Sequence, residues 1–252
     1  MLRPTAAARD VERFPARTPT LPPATHTNSY ALGGAEVLLV EPATPYDEEV
    51  REWLAWARGI SSSGRRIVGV FVTHHHGDHV GGAAVIRREL GVPLLAHELA
   101  APALPTPVDR LVADGEALVL AGPEPSRWVA LHTPGHARGH LCLHEAERGA
   151  LIAGDMVASE GTILIAPGDG DMREYLAQLT RLRGLGAAVV LPAHGDPIVE
   201  ADALFERYLR HRSLREAMII AALGALGPGA SLDALVDRAY GDAPAAARPF
   251  AR

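Results

Sequence analysis

The feature that most constrains this chain is a histidine-rich segment that directly follows a short β-branched run. Residues 67–72 are predicted to form a buried strand, and residues 73–79 read Thr-His-His-His-Gly-Asp-His. The side chains in this segment that can bind a metal are those of His74, His76, Asp78 and His79. Side chains two residues apart in an extended segment point to the same side, so His74 and His76 can reach one ion. Asp78 and His79 follow the turn at Gly77 and can face a second ion.

Imidazole and carboxylate groups are the ligands that suit zinc and related transition metals. The alternative is a solvated polar loop that binds metal only incidentally. The apolar strand before the segment and the Val80-Gly81-Gly82 sequence after it disfavour that alternative.

Three later segments also place a potential ligand just past a short apolar strand. The predicted strands cover residues 128–131, 151–153 and 187–191, and the side chains that follow them are His136, Asp155 and His194. Each segment alone is a weak signal, because Pro-Gly and Gly-Asp are also ordinary turn sequences. Their shared context strengthens the interpretation of all three side chains as ligands, since ligands commonly lie beyond the carboxyl ends of strands in α/β proteins.

The rest of the pattern predicts an α/β domain followed by a helical extension. Hydrophobic periodicity predicts a hairpin over residues 30–40 and helices over residues 48–58, 83–90 and 173–183. Residues 1–24 are expected to form an extended arm or a loose first strand. Beyond residue 200 the pattern predicts a long helix, a Gly-Pro-Gly break and a short helix capped by Ser231. The predicted domains are residues 1–199 and 200–252.

Composition limits the classes of protein that this chain can belong to. It has 252 residues, 48% of them hydrophobic, and a net charge of −6, which argues against non-specific nucleic-acid binding through overall charge. A local basic patch remains compatible with that charge. The single cysteine, Cys142, excludes an internal disulfide. The apolar runs are shorter than a membrane span requires, so we expect a cytoplasmic protein without a membrane partner. The oligomeric state stays open.

The ordered pattern His-x-His-x-Asp-His, Pro-Gly-His, Gly-Asp and a late His-Gly resembles the metallo-β-lactamase superfamily over about residues 20–200. The resemblance implies an αββα sandwich, with a small helical, winged-helix-like extension at the C-terminus. It also implies two Zn²⁺ ions, with Mn²⁺ or Fe²⁺ as alternatives. The ligands implied for one ion are His74, His76 and His136; those for the other are Asp78, His79 and His194, with Asp155 bridging. Such a site implies a hydrolase with a metal-bridging hydroxide, which Asp78 would orient.

Several residues near these motifs have roles that the resemblance leaves open. Glu41 stands where many members of the superfamily carry an aspartate that supports the metal site. The glutamate either gives the same support or the support is lost. His75 is expected to support the ligands or to contact solvent, and His140 and His144 are expected to do the same.

The bridging position narrows the range of substrates. An aspartate there resembles the thioesterase, lactonase and nuclease branches, whereas dedicated β-lactamases typically carry Cys or Ser, so β-lactamase activity is expected to be weak at most. The C-terminal segment resembles the branch that includes the lactamase-β-like endoribonuclease. We therefore predict a phosphodiesterase acting on single-stranded RNA. Three arginines of the C-terminal segment are expected to contact the RNA phosphates: Arg210, Arg212 and Arg215. The alternatives are a small-molecule thioester or lactone hydrolase of the glyoxalase-II type, and a non-catalytic metal-binding scaffold. For the arginines the alternative is a solvated helix face.

Overall fold

The computed structural model describes residues 3–159 and 161–242. The chain divides into two compact units, Met1–Asp202 and Ala203–Arg252. In the described part of the chain, no helix combines the length and the hydropathy that a membrane crossing requires.

The first unit contains a seven-stranded sheet whose strands follow chain order. The strands are β1 (Thr5–Ala8), β2 (Val11–Arg17), β3 (His26–Leu32), β4 (Glu36–Val40), β5 (Arg66–Phe71), β6 (Leu94–Ala96) and β7 (Arg110–Leu111). Strands β1 to β4 are antiparallel neighbours, and β4 to β7 are parallel. The parallel pairing brings the carboxyl ends of β4 and β5 to one edge, so Glu41 and the histidine-rich segment lie side by side.

The second sheet has five strands in the order β12-β11-β10-β9-β8. They are β8 (Ala117–Leu120), β9 (Ser126–His132), β10 (Leu141–Glu145), β11 (Ala150–Gly154) and β12 (Val189–Pro192). Three neighbouring pairs are antiparallel, and β11 pairs with β12 in parallel. This parallel pair places Asp155 and His194 at a common edge.

The two sheets pack face to face, with helices on the outside, which confirms the predicted αββα sandwich. Between the sheets, Tyr30 and Phe71 join Trp128 and Leu143 in one apolar core. The helices of this unit are α1 (Asp47–Ser62), α2 (Gly77–Val80), α3 (Ala83–Leu90) and α4 (Met172–Arg183), with a 3₁₀ turn at Ala101–Ala103. Helices α1 and α3 cover the outer face of the first sheet, where Trp53 is fully buried.

The expectation of an extended arm or loose first strand over residues 1–24 is wrong for residues 5–17, which form a paired hairpin at the edge of the first sheet. Two strands, β1 and β2, extend the first sheet there, and β2 pairs with β3 along its whole length from Val11 to Arg17. Phe14 and Ala16 are buried in the outer core. The proline and arginine content of β2 favours a loop. The segment forms a strand instead because its apolar side chains are buried.

The second unit begins within α5 (Ala201–Leu226) and continues with α6 (Leu232–Ala239). Ser231 caps α6, because its hydroxyl accepts a hydrogen bond from Ala234 N at 3.2 Å. The helical extension is therefore confirmed. Its winged-helix-like arrangement and the predicted boundary at residue 199 stay predictions.

Candidate metal centre

All seven predicted ligands lie on loops or short turns that follow strands. His74 and His76 come after β5, and Asp78 and His79 lie in the single turn α2. The remaining three follow three other strands: His136 after β9, Asp155 after β11 and His194 after β12. The fold brings these separate segments into one buried cluster.

Three imidazoles form the first pocket of this cluster. His74 Nε2 lies 3.1 Å from His76 Nδ1 and 3.1 Å from His136 Nε2. These three residues satisfy the spacing expected of a metal-binding group. We call them pocket 1.

Asp78, His79 and His194 form the second group, which we call pocket 2. His194 Nε2 lies 3.6 Å from Asp78 Oδ2, and His79 Nε2 lies 3.9 Å from Asp78 Oδ1. Asp155 connects the two pockets. Its Oδ1 lies 3.5 Å from His79 Nε2 and 3.3 Å from His194 Nε2, while its Oδ2 lies 3.4 Å from His136 Nε2.

The distances between these donor atoms fit a metal ion better than direct hydrogen bonds. With metal–nitrogen bonds of about 2.0–2.1 Å, two ligands of a tetrahedral ion lie roughly 3.3–3.4 Å apart. Most of the separations here are close to that value and longer than an ordinary hydrogen bond. Among the described residues, His79 Nε2 and Asp155 Oδ1 are buried and have no hydrogen-bond partner. Buried polar atoms without a partner are costly, and a cation between them would satisfy both.

In pocket 1, the shifted pKa values favour cation binding, because imidazole binds a metal only when neutral. Burial and the neighbouring His136 lower the pKa of His76 to about 4. Burial, with His79 and His136 nearby, also holds the pKa of His74 well below its usual value. Burial opposes ionisation of Asp155, but His194 and His79 outweigh it and keep the carboxyl pKa well below its ordinary range. In pocket 2, burial opposes protonation of His79 and His194, but the neighbouring carboxylates outweigh it and raise the pKa of both histidines.

In four of the predicted histidine ligands, one ring nitrogen lies close to a neighbouring oxygen that can fix the ring. His74 Nδ1 lies 3.0 Å from Thr73 Oγ1, and His136 Nδ1 lies 2.8 Å from the carbonyl oxygen of Leu164. His194 Nδ1 lies 3.0 Å from the carbonyl oxygen of His26. Such contacts fix the tautomer and the ring orientation of a metal ligand.

Glu41 supports His79, the fourth of these ligands, which answers the question that the sequence left open. Its carboxylate is buried, and Oε1 lies 3.1 Å from His79 Nδ1 and accepts a hydrogen bond from the Thr73 hydroxyl. The backbone φ of Glu41 is +60°, a left-handed conformation that a non-glycine residue rarely adopts. Its amide donates to Phe71 O at 2.9 Å, so the strained residue is fixed against the end of β5.

His140 is a supporting residue whose role the sequence did not define. It is fully buried, its Nε2 accepts a hydrogen bond from Asp155 N at 3.1 Å, and its Nδ1 lies 2.8 Å from Thr133 Oγ1. Gly154 allows this approach, because a Cβ there would lie 2.5 Å from His140 Nε2. His140 therefore fixes the backbone of Asp155, the predicted bridging residue. His144 lies apart from this cluster, on β10.

The three tail arginines lie on α5 in the second unit. Arg215 forms a two-point ion pair with Asp242, at 2.7 and 2.9 Å, and stacks on the Tyr240 ring. Arg210 is exposed and lies 3.7 Å from Glu206 one helical turn away. A phosphate-binding role for Arg210, Arg212 and Arg215 stays a prediction. The Arg215 side chain is already used in its ion pair with Asp242.

A cavity of about 150 Å³ opens above the metal pockets. One wall comes from residues 19–24 before β3 and another from residues 161–166 after β11. The floor consists of side chains of predicted ligands: His76, Asp78, His136, Asp155 and His194. Apart from those ligands, the described lining residues are Pro, Thr, Leu, Ala, Gly and Ile.

Residues 22–194 match the family model described as the metallo-beta-lactamase superfamily. The chain belongs to this superfamily. Metallo-β-lactamase-fold proteins act on varied substrates, so membership alone identifies a metal-dependent hydrolase and not its substrate.

Proteins from three other organisms are similar to this chain. The chain is 30% identical to the beta-lactamase-like protein 2 homolog of Caenorhabditis elegans, over 88% of this chain and 73% of that protein. It is 31% identical to thioesterase pkgB of Emericella nidulans over 78% of this chain, and it spans only 54% of that protein. A metallo-beta-lactamase family protein from Thermus thermophilus has a similar structure. Its TM-score is 0.73, with 25% identity, over 96% of this chain and 93% of that one.

Proposed function

We propose that this metal-dependent hydrolase cleaves small acyl thioesters at a two-metal centre formed by pockets 1 and 2. The observation that carries the proposal is the composition of the cavity above the ligands. Every titratable side chain among its described lining residues is a predicted metal ligand. Among the described lining residues, therefore, no further side chain remains to protonate a leaving group.

A thioester needs no such proton donor. Thiols have a pKa of about 8.5, so a thiolate can depart at neutral pH without prior protonation. An alkoxide leaving group, such as the sugar oxygen released from RNA, is a far stronger base and gains much more from a general acid. The absence of a free acid among the described lining residues thus favours a thioester over a phosphodiester.

The charge and shape of the cavity support the same conclusion. No arginine or lysine occurs among the described residues that line it. Phosphate groups are usually held by such side chains, whereas the apolar walls here suit an acyl group. A volume of about 150 Å³ is the size of a cavity that can hold benzene, so a short or aromatic acyl group fits.

When bound, two divalent ions would lower the pKa of a shared water and polarise the thioester carbonyl. The chain itself supplies ligands that place the ions and a carboxylate that can accept a proton. Asp78 lines the cavity and is the ligand best placed to orient the nucleophile and take its proton. The two carboxylates, Asp78 and Asp155, offset only part of the charge of two divalent ions, so the site favours an anionic transition state.

The single-stranded RNA activity expected from the sequence remains the second candidate. The resemblance of the C-terminal segment to the branch that includes an endoribonuclease and the exposed Arg210 favour it. The cavity composition and the engagement of Arg215 weigh against it. We rank it below thioester hydrolysis.

A substrate panel separates these functions. Zinc-loaded protein is expected to hydrolyse acetyl, butyryl and benzoyl thioesters of coenzyme A with kcat/KM of about 10⁴ M⁻¹s⁻¹ or more. Lactones, a penicillin and a single-stranded RNA oligonucleotide should be turned over at least about 100-fold less efficiently, and protein treated with chelator should be inactive on all of them. Faster cleavage of RNA than of any thioester would establish the second candidate instead.

A further inference from the structure

Asp169 lies beside pocket 1, where it faces two adjacent histidines. Its Oδ2 is 3.4 Å from His76 Nε2 and 3.5 Å from His75 Nε2. Among the described residues, this buried oxygen has no hydrogen-bond partner. Neither the ligand pattern nor the family match assigns Asp169 a role.

The two ring nitrogens of His76 face different groups. Nδ1 lies 3.1 Å from His74 Nε2, inside pocket 1, and Nε2 faces Asp169. A neutral imidazole carries a lone pair on one nitrogen and a proton on the other. If Nδ1 is to bind an ion, the proton must be on Nε2, which faces the Asp169 carboxylate at 3.4 Å, slightly beyond an ordinary hydrogen bond. His75, His76 and Asp169 also have the spacing of a metal-binding group, and the test below distinguishes the two roles.

The loop that carries Asp169 is held firmly in this position. Arg138 N donates to Asp169 Oδ1 at 3.3 Å, and Arg138 Nη2 donates to Gly168 O at 2.6 Å. Gly170 N donates to Ala166 O at 2.8 Å, and a Cβ on Gly170 would lie 2.8 Å from that same oxygen. One carboxylate oxygen is thereby used to fix the loop, and the other is left for the histidines.

We propose that Asp169 is a positioning residue that holds His76 in the Nε2–H tautomer and so aims Nδ1 into pocket 1. The inference rests on the metal site of the proposed function but not on its substrate. Carboxylates that accept from the free nitrogen of a histidine ligand typically change metal affinity by about 10- to 100-fold when removed.

The test compares Asp169→Ala, Asp169→Asn and wild type by zinc affinity, measured through competition with a chelator. One of the two ions should bind about 10- to 100-fold more weakly to Asp169→Ala, while the other ion is held as in wild type. Asp169→Asn keeps a hydrogen-bond acceptor and should recover much of that loss. Asp202→Asn, an exposed acid on α5 with the same change of charge, should bind both ions normally.

Nitrogen-15 NMR of the metal-free proteins adds a readout that a general loss of stability would not produce. His76 should be the Nε2–H tautomer in wild type and a mixture of tautomers in Asp169→Ala. Unchanged zinc affinity in folded Asp169→Ala would overturn the proposal, even if its melting temperature fell. A third ion in wild type that disappears in Asp169→Ala would also overturn it, because Asp169 would then be a ligand.

Discussion

Asp155→Ala is expected to lower kcat for thioester hydrolysis on the order of 10³-fold and to reduce bound zinc below two ions per chain. The carboxylate is shared by both pockets, since Oδ1 faces His79 and His194 while Oδ2 faces His136. Its removal deletes a ligand from each pocket and leaves the two cations to repel each other without an anion between them.

Metal content by elemental analysis and single-substrate kinetics check this expectation. Asp202→Ala is the matched control, because that carboxylate is exposed on α5 and lies outside the ligand set. Circular dichroism of each variant shows whether the loss arises at the site or from unfolding. Retention of two ions and of kcat within about tenfold of wild type would show that Asp155 is not a bridge.

Asp78→Asn is expected to lower kcat by about 10²- to 10³-fold with little change in KM for a short acyl thioester. The substitution keeps the size of the side chain and removes its charge and basicity. Asp78 both lines the cavity and faces His194 Nε2 at 3.6 Å, so it can accept a proton while it holds the ion of pocket 2. Pocket 1 does not use Asp78 and should still bind its ion.

Stopped-flow kinetics at saturating zinc separate the two roles of Asp78. If excess zinc restores metal content but not kcat, the carboxylate acts on the reacting groups. If kcat returns fully once zinc is saturating, Asp78 is only a ligand and its assigned catalytic role is wrong.

The sandwich can be predicted from sequence because its central strands and outer helices have strong periodicity. The helix predicted over residues 173–183 and the strand predicted over 67–72 agree within a residue or two with α4 and β5. Strand β1, with the sequence Thr-Ala-Ala-Ala, and the two-residue β7 carry no such pattern. Their pairing depends on the neighbouring strand, which a local pattern does not reveal.

The clustering of the seven predicted ligands follows from the sequence, because each is a His or Asp shortly after an apolar strand. The groups that orient them are harder to predict. His136 and His194 are held by backbone carbonyls of Leu164 and His26, and any residue type can supply a carbonyl. Asp169 lies in a separate loop, and only the folded chain brings it to His76.

Titration of metal-free protein with Zn²⁺, while hydrolysis of a short acyl thioester is followed, tests the central claim most directly. Because Asp155 connects two complete pockets, activity should rise until two equivalents of zinc per chain are bound and then remain constant. Full thioester activity at one equivalent would contradict the two-metal centre. No thioester hydrolysis at any zinc content, with the protein folded and two ions bound, would contradict the proposed function.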